Sequence, residues 1–164
     1  MKIDTAFLGS LDVPFEDGLY GSYSAVPGNR KISFDLYIEE EIASEEIAPT
    51  IANFVDNIPF MYARAKAAIL ANADLERVSF FAECQLEGLD EDALLSVFPV
   101  KSVQAITRDM FLAALEPRAI RIGFNSQGKL DCVFDFSLDE EISDELLVIC
   151  FDEQFEITNI TQES

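Results

Sequence analysis

The sequence predicts an α+β domain: one antiparallel sheet, made of an N-terminal β-hairpin and a C-terminal strand meander, packed against a central group of helices. Two stretches have period two. Ile32, Phe34, Leu36 and Ile38 alternate with Ser33, Asp35 and Tyr37; Leu130, Cys132, Phe134 and Phe136 alternate with Asp131, Val133, Asp135 and Ser137. Between them the apolar spacing turns helical, with Ile47, Ile51, Phe54, Val55 and Ile58 at i, i+4, i+7, i+8 and i+11. Strands segregated from helices are the mark of α+β architecture. A chain of 164 residues suits a single domain and buries about 70% of its unfolded surface. Within it, 1–38 is the hairpin region, 44–116 the helical region and 118–161 the meander.

Ala6 to Leu8 reads as a short opening strand, followed by an irregular entry broken by Gly9, Pro14 and Gly18. Leu19–Val26 and Lys31–Ile38 flank the turn cluster Pro27, Gly28, Asn29 and Arg30, giving a hairpin with a wet face. Ser44 can cap the first helix, with Glu45 and Glu46 in its first turn where the helix dipole favours acids. Pro49 is tolerated near that helix start, and Pro59 ends the helix and opens the next, Phe60–Ala73. A third helix is expected over Asp74–Glu87 with Val78, Phe81 and either Cys84 or Leu86 inward, terminated at Gly88. Asp90 caps a short helix to Phe98, and Thr107 caps another over Arg108–Leu115, stopped by Pro117.

Ala119–Phe124 returns to period two, and Asn125 to Gly128 reads as a hairpin loop into Leu130. Leu146–Phe151 is apolar at both parities, which predicts a strand covered on both sides at the middle of the sheet. Phe155, Ile157 and Ile160 follow a turn at Asp152 to Gln154 as the last strand.

The chain carries 31 Asp and Glu against 11 Lys and Arg, a net charge of −20, yet it is 49% hydrophobic with 14 Phe. So apolar a composition excludes a disordered acidic tail. The charge repels phosphates, which disfavours nucleic acid and anionic membrane as partners and leaves basic proteins and cations. Cys84, Cys132 and Cys150 are odd in number and lack C-x-x-C spacing, so free thiols in a reducing compartment are expected; Cys132 and Cys150 could face each other on neighbouring strands. The start, Met1 to Thr5, has no apolar core of signal-peptide length, and no run approaches a membrane span. A cytoplasmic protein is expected.

The chain has no His, which removes Ser-His-Asp and Cys-His catalysis and the usual zinc sets. Dinucleotide-binding, P-loop and hydrolase fingerprints are absent. Paired carboxylates can do acid-base work, but nothing in the sequence marks a desolvated pair, and Asp131 and Asp135 are better explained as a wet strand face. The cluster Asp139, Glu140, Glu141, Asp144 and Glu145 lacks the spacing of a calcium loop. Cys150 lies in an apolar run without a basic neighbour, which should raise its pKa. No catalytic residue, metal or cofactor is expected.

From Asp131 onward there are 11 carboxylates and no Lys or Arg, so counter-charge must come from elsewhere in the fold or from a partner. The segment Asp139–Glu145 must be a solvated loop or helical turn, because unpaired buried carboxylates are costly. A second acidic cluster runs over Glu39, Glu40 and Glu41 to Glu45 and Glu46.

The run from Phe134 through Asp139, Glu140 and Glu141 to Asp152, with the terminal Glu163 and Ser164, resembles a bacterial family of uncharacterised small acidic proteins, a domain of unknown function. The helical order, including Asn53-Phe54 and Arg64 to Ala68, is similar too. The resemblance implies a bacterial cytoplasmic α+β domain and assigns no catalytic residue. The small, acidic, motif-free profile is similar to that of immunity proteins of toxin systems. The expected function is therefore a non-catalytic binder that neutralises a basic toxin effector of nuclease type. Asp139, Glu140, Glu141, Asp144 and Glu145 would contact it, with Glu39, Glu40, Glu41 and a tyrosine anchor, Tyr37, Tyr20 or Tyr23. Two alternatives stand beside this reading. One is a carboxylate- or metal-dependent enzyme; the other is a housekeeping module whose charge only solvates it.

Overall fold

A computed structural model describes residues 1–14, 18–28, 30–39 and 43–164. Asn29 of the predicted turn, and Glu40 and Glu41 of the second acidic cluster, lie outside the described residues. Two short strands, β1 (Lys2–Thr5) and β2 (Gly9–Asp12), pair antiparallel as a separate hairpin. Ala6–Leu8, expected as a strand, is their turn: the backbone N–H groups of Ala6 and Phe7 donate to Asp56 Oδ1 at 2.6 and 2.9 Å. The other strands, β3 (Gly18–Ala25), β4 (Ile32–Glu39), β5 (Glu116–Phe124), β6 (Leu130–Ser137), β7 (Leu146–Phe151) and β8 (Ile157–Glu163), form one six-stranded sheet in sequence order.

The α+β class, the hairpin, the meander and the central helices are as the pattern predicts. The junction differs: β4 and β5 pair parallel, so the sheet is mixed. Its physical reason is the connection. The helical segment after β4 carries the chain back across one face to the end where β4 began, so β5 leaves in the same direction. Leu146–Phe151 is the fifth strand and not the middle one, since β5 and β6 hold the centre.

The helices are α1 (Ala48–Asp56), α2 (Ile58–Ala71), α3 (Glu76–Gly88), α4 (Glu91–Val97) and α5 (Arg108–Ala114). Ser44 precedes a 3₁₀ turn, Glu45–Ile47, but makes no side-chain cap. Asp90 and Thr107 do cap, accepting from the N–H groups of Ala93 and Met110 at 3.1 Å each. Pro49 and Pro59 sit in the first turns of α1 and α2, where no N–H is required. In α3 the buried stripe is Val78, Phe81, Ala82 and Gln85; Cys84 and Leu86 are only half-buried. The 3.6-residue period takes Gln85, four after Phe81, into the core.

The core lies between helices and sheet. Phe34, Ile120, Phe134 and Ile149 stand in register across four strands, all fully buried. The opposite face carries Asp35, Tyr37, Arg121, Asp131, Val133, Asp135, Val148 and Cys150. Cys132 is on the core face and Cys150 on the other, with Cys150 opposite Val133 in register, so the two thiols do not face each other.

Pro117 was expected to stop the last helix. It also sits inside β5: Pro117 pairs with Phe136 and Ala119 with Asp135, leaving Arg118 as the extra residue of a bulge. Lys66 ties α2 to the end of α5, donating to the carbonyls of Ala113 and Leu115 and to Glu116 at 2.8, 2.5 and 3.0 Å. Glu116 also accepts from Tyr62 at 2.9 Å. Lys66→Met is expected to cost about 1.5–3 kcal/mol, the range for hydrogen bonds to charged groups, measured as a lower urea midpoint with unchanged slope.

Candidate protein-docking site

The acidic segment between β6 and β7 is a folded loop with its backbone fixed. Leu138 is buried and closes β6. Asp139 then organises the turn: Oδ1 accepts from the Glu141 N–H at 2.9 Å, and its carbonyl accepts from the N–H groups of Ile142 and Ser143 at 3.1 and 3.0 Å. Ile142 packs against the core. The buried Ser143 hydroxyl donates to Gln85 Oε1 at 2.6 Å and accepts from the Glu145 N–H at 3.1 Å. An α3 side chain thus anchors the loop from beneath.

The five carboxylates divide by role. Asp139 meets Arg30 at 3.2 Å, and Glu145 accepts from Gln162 at 3.2 Å, so both are turned toward their own chain. Glu140, Glu141 and Asp144 point to solvent; the Glu140 and Asp144 side chains are 65% and 93% exposed. Arg118, thrown outward by the β5 bulge, stands 3.8 Å from Glu140 and 3.9 Å from Asp144. These are loose surface pairs of small energetic weight. The counter-charge missing from the C-terminal sequence is supplied by Arg30, Arg118, Arg121 and Arg64, the last paired with Glu156. Glu140 and Asp144 share one loosely held arginine and Glu141 is exposed beside them, so the loop keeps a local excess of negative charge.

Glu39, exposed at the end of β4, belongs to a different place. Because β4 and β5 are parallel and β6 runs back, Glu39 sits at the end where β6 starts, whereas Asp139–Glu145 follows where β6 finishes. A strand of eight residues spans roughly 26 Å at about 3.3 Å per residue. Glu39 and Asp139–Glu145 therefore lie at opposite ends of the sheet. Tyr37, 56% exposed, shares the open face with Glu39 and meets Tyr20 edge-on, their centroids 5.0 Å apart. Tyr23 lies on the core side of β3: its ring stacks on Phe34 at 5.8 Å and its hydroxyl donates to the Asp12 carbonyl at 2.9 Å. Burial raises the Tyr23 pKa, with Asp12 adding to the rise.

Asp135 departs from the wet-face expectation. Its residue is only 8% exposed, with Arg121 3.4 Å away and 51% exposed at the side chain. Desolvation pushes the Asp135 pKa up in spite of Arg121, and it also raises Asp131. A carboxyl raised in the folded state loses stability as pH rises from its unfolded value, near 4, toward its folded one. Asp135→Asn is therefore expected to melt higher than wild type at pH 7, with the difference closing by about pH 4, measured by calorimetry across that range.

Asp131 and Asp135, four residues apart on one strand, are separated by roughly 13 Å, beyond the 5–9.5 Å of a glycosidase-like pair. Among the described residues no group of three or more His, Cys, Asp or Glu converges to hold a metal. Burial pushes the Cys150 thiol up to about 11, far from a thiolate nucleophile. No helix among the described residues is long and apolar enough to cross a membrane.

Sequence reasoning missed the buried Gln85–Ser143 bond, the arginines that meet the acidic loop, and the burial of Asp135. A signal existed for the first: Gln85 falls on the apolar stripe of α3, and Ile142-Ser143 interrupts an acidic run with a core-type and a small residue. No protein-family model, curated protein or solved structure matches the chain.

Proposed function

We propose that this protein is a non-catalytic binder of a basic protein, acting as an immunity protein that neutralises a nuclease-type toxin effector. The observation that supports this reading most is the fixed backbone of Asp139–Glu145. Charge that serves only solubility needs no anchor. Here Ser143 is held by Gln85 in the core while Glu140, Glu141 and Asp144 point outward. A prearranged set of like charges loses little conformational freedom on binding and steers an oppositely charged surface. A nuclease binds phosphates through a basic cleft, and carboxylates placed over such a cleft would occupy the positions of the phosphates. The geometry favours the binder over a carboxylate enzyme, because its desolvated acids, Asp131 and Asp135, are too far apart to act on one bond.

The experiment is capture of the tagged protein from its own cells, washed at low and then high salt, with bound proteins identified and quantified. A single basic partner at one-to-one ratio, retained at low salt and released more readily at high salt, is the expected result. Only sparse, heterogeneous basic proteins would favour the solubilising reading of the charge.

A further inference from the structure

We propose that β3 is an open acceptor edge that takes an extended, Arg- or Lys-bearing segment of a partner protein as a seventh strand. The two edges of the six-stranded sheet are treated differently. At β8, α3 packs alongside, and Arg77 donates to the outward Ile160 carbonyl at 2.9 Å and to Asn159 at 3.4 Å. A bulge between Cys150 and Phe151 interrupts the register there as well. That edge is guarded in the ways natural sheets use against strand addition.

At β3 the described residues supply none of these guards. Gly18–Ala25 is in unbroken register with β4 over eight residue pairs, with no bulge. It contains Gly, Leu, Tyr, Ser and Ala only, with no charged residue and no proline. Among the described residues no element pairs with its outer side. An edge strand that is long, regular and uncharged offers a template for main-chain pairing.

The kind of strand that fits follows from the charge around it. On the open face, Asp35 is opposite Ser22 and Glu39 opposite Gly18, one strand inward from the edge. Basic side chains on an added strand reach about two strand spacings, roughly 9.6 Å, and so meet these carboxylates. Tyr37, 56% exposed beside Tyr20, presents an aromatic ring on the same face for an Arg or Lys to lie against. A second copy of this chain is the poorer occupant, because two bodies each carrying −20 repel. The inference rests on the basic-partner reading above and adds a docking element to it: β3 runs from the Glu39 end of the sheet to the end where Arg30 holds Asp139.

The test uses a synthetic nonapeptide alternating Arg with Thr and Val, and a control of equal charge with proline at two central positions. Binding is followed by amide NMR shifts and hydrogen exchange at physiological salt. The alternating peptide is expected to protect β3 amides and to bind about tenfold more tightly than the proline control, the loss of one to two backbone hydrogen bonds. Ser22→Lys, an exposed position on the open face of β3, should weaken it by a similar factor. Glu87→Lys, the same kind of basic substitution on the outer face of α3, should change it less than twofold. Equal binding of both peptides, shifts located away from β3, or a dimer of the free protein paired through β3 in sedimentation would each overturn the proposal. A partner captured from cells but indifferent to Ser22→Lys defeats the edge proposal alone. Peptide docking at β3 without any captured partner defeats the immunity reading alone.

Discussion

Phe134→Ala is expected to leave the protein largely unfolded near room temperature or to lower its urea midpoint severely. Phe134 is fully buried on the central strand β6, in register with Ile120 on one side and Ile149 on the other. Its ring lies 6.2 Å from Phe136 and 5.6 Å from Phe151. Truncation removes the transfer energy of the ring and leaves a cavity that the strands cannot close, a cost of about 3–5 kcal/mol. That is a large part of the roughly 5–15 kcal/mol holding a domain folded. Equilibrium unfolding followed by circular dichroism checks it. A loss under about 1 kcal/mol, the size of a surface change, would mean that the packing across β5, β6 and β7 is not as described.

Replacing Glu140, Glu141 and Asp144 together by Lys is expected to slow association with the proposed basic partner by about 10–100-fold, within the span that electrostatic steering gives to association rates. The fold should tolerate the change, because the loop backbone is held by Asp139, Ser143 and Gln85 and not by the three outward side chains. Stopped-flow association at several salt concentrations separates the effects. Wild-type rates should fall as salt screens the charges, whereas the variant should show a flat or reversed dependence. An unchanged rate with intact melting would remove Asp139–Glu145 from the interface.

The α+β class was legible because its signals are local. Period two in Ile32–Ile38 and Leu130–Phe136, the helical stripe at Ile51–Val55, and caps such as Asp90 and Thr107 depend on residues close in sequence. The parallel junction of β4 and β5 was not legible, because it is fixed by where a connection of more than 70 residues returns. Pro117 reads two ways for a related reason: proline ends a helix and also sits at strand bulges, and here it does both. At the candidate site, sequence identified the acidic residues but not their roles. Asp139 and Glu145 turn inward to Arg30 and Gln162, partners 109 and 17 residues away. The separation of Glu39 from Asp139–Glu145 also depends on strand direction, which composition does not encode. Phe155, read as the start of the last strand, occupies a left-handed turn position at φ 59°. It matches Gly128 at φ 70° in the β5–β6 hairpin loop, and the same Asx-centred hydrogen bonds close both turns. Its edge-on contact with Phe54, at 5.4 Å, holds it there.

The proposed neutralisation of a basic toxin by the acidic loop is read out by co-production in a bacterial host. The captured partner is expressed alone, with the wild-type protein, and with the triple lysine variant, and growth is recorded. Arrest is expected with the partner alone, full growth with the wild type, and arrest again with a variant that still folds. A partner that is harmless alone, or full rescue by the folded triple variant, would rule out neutralisation through this loop.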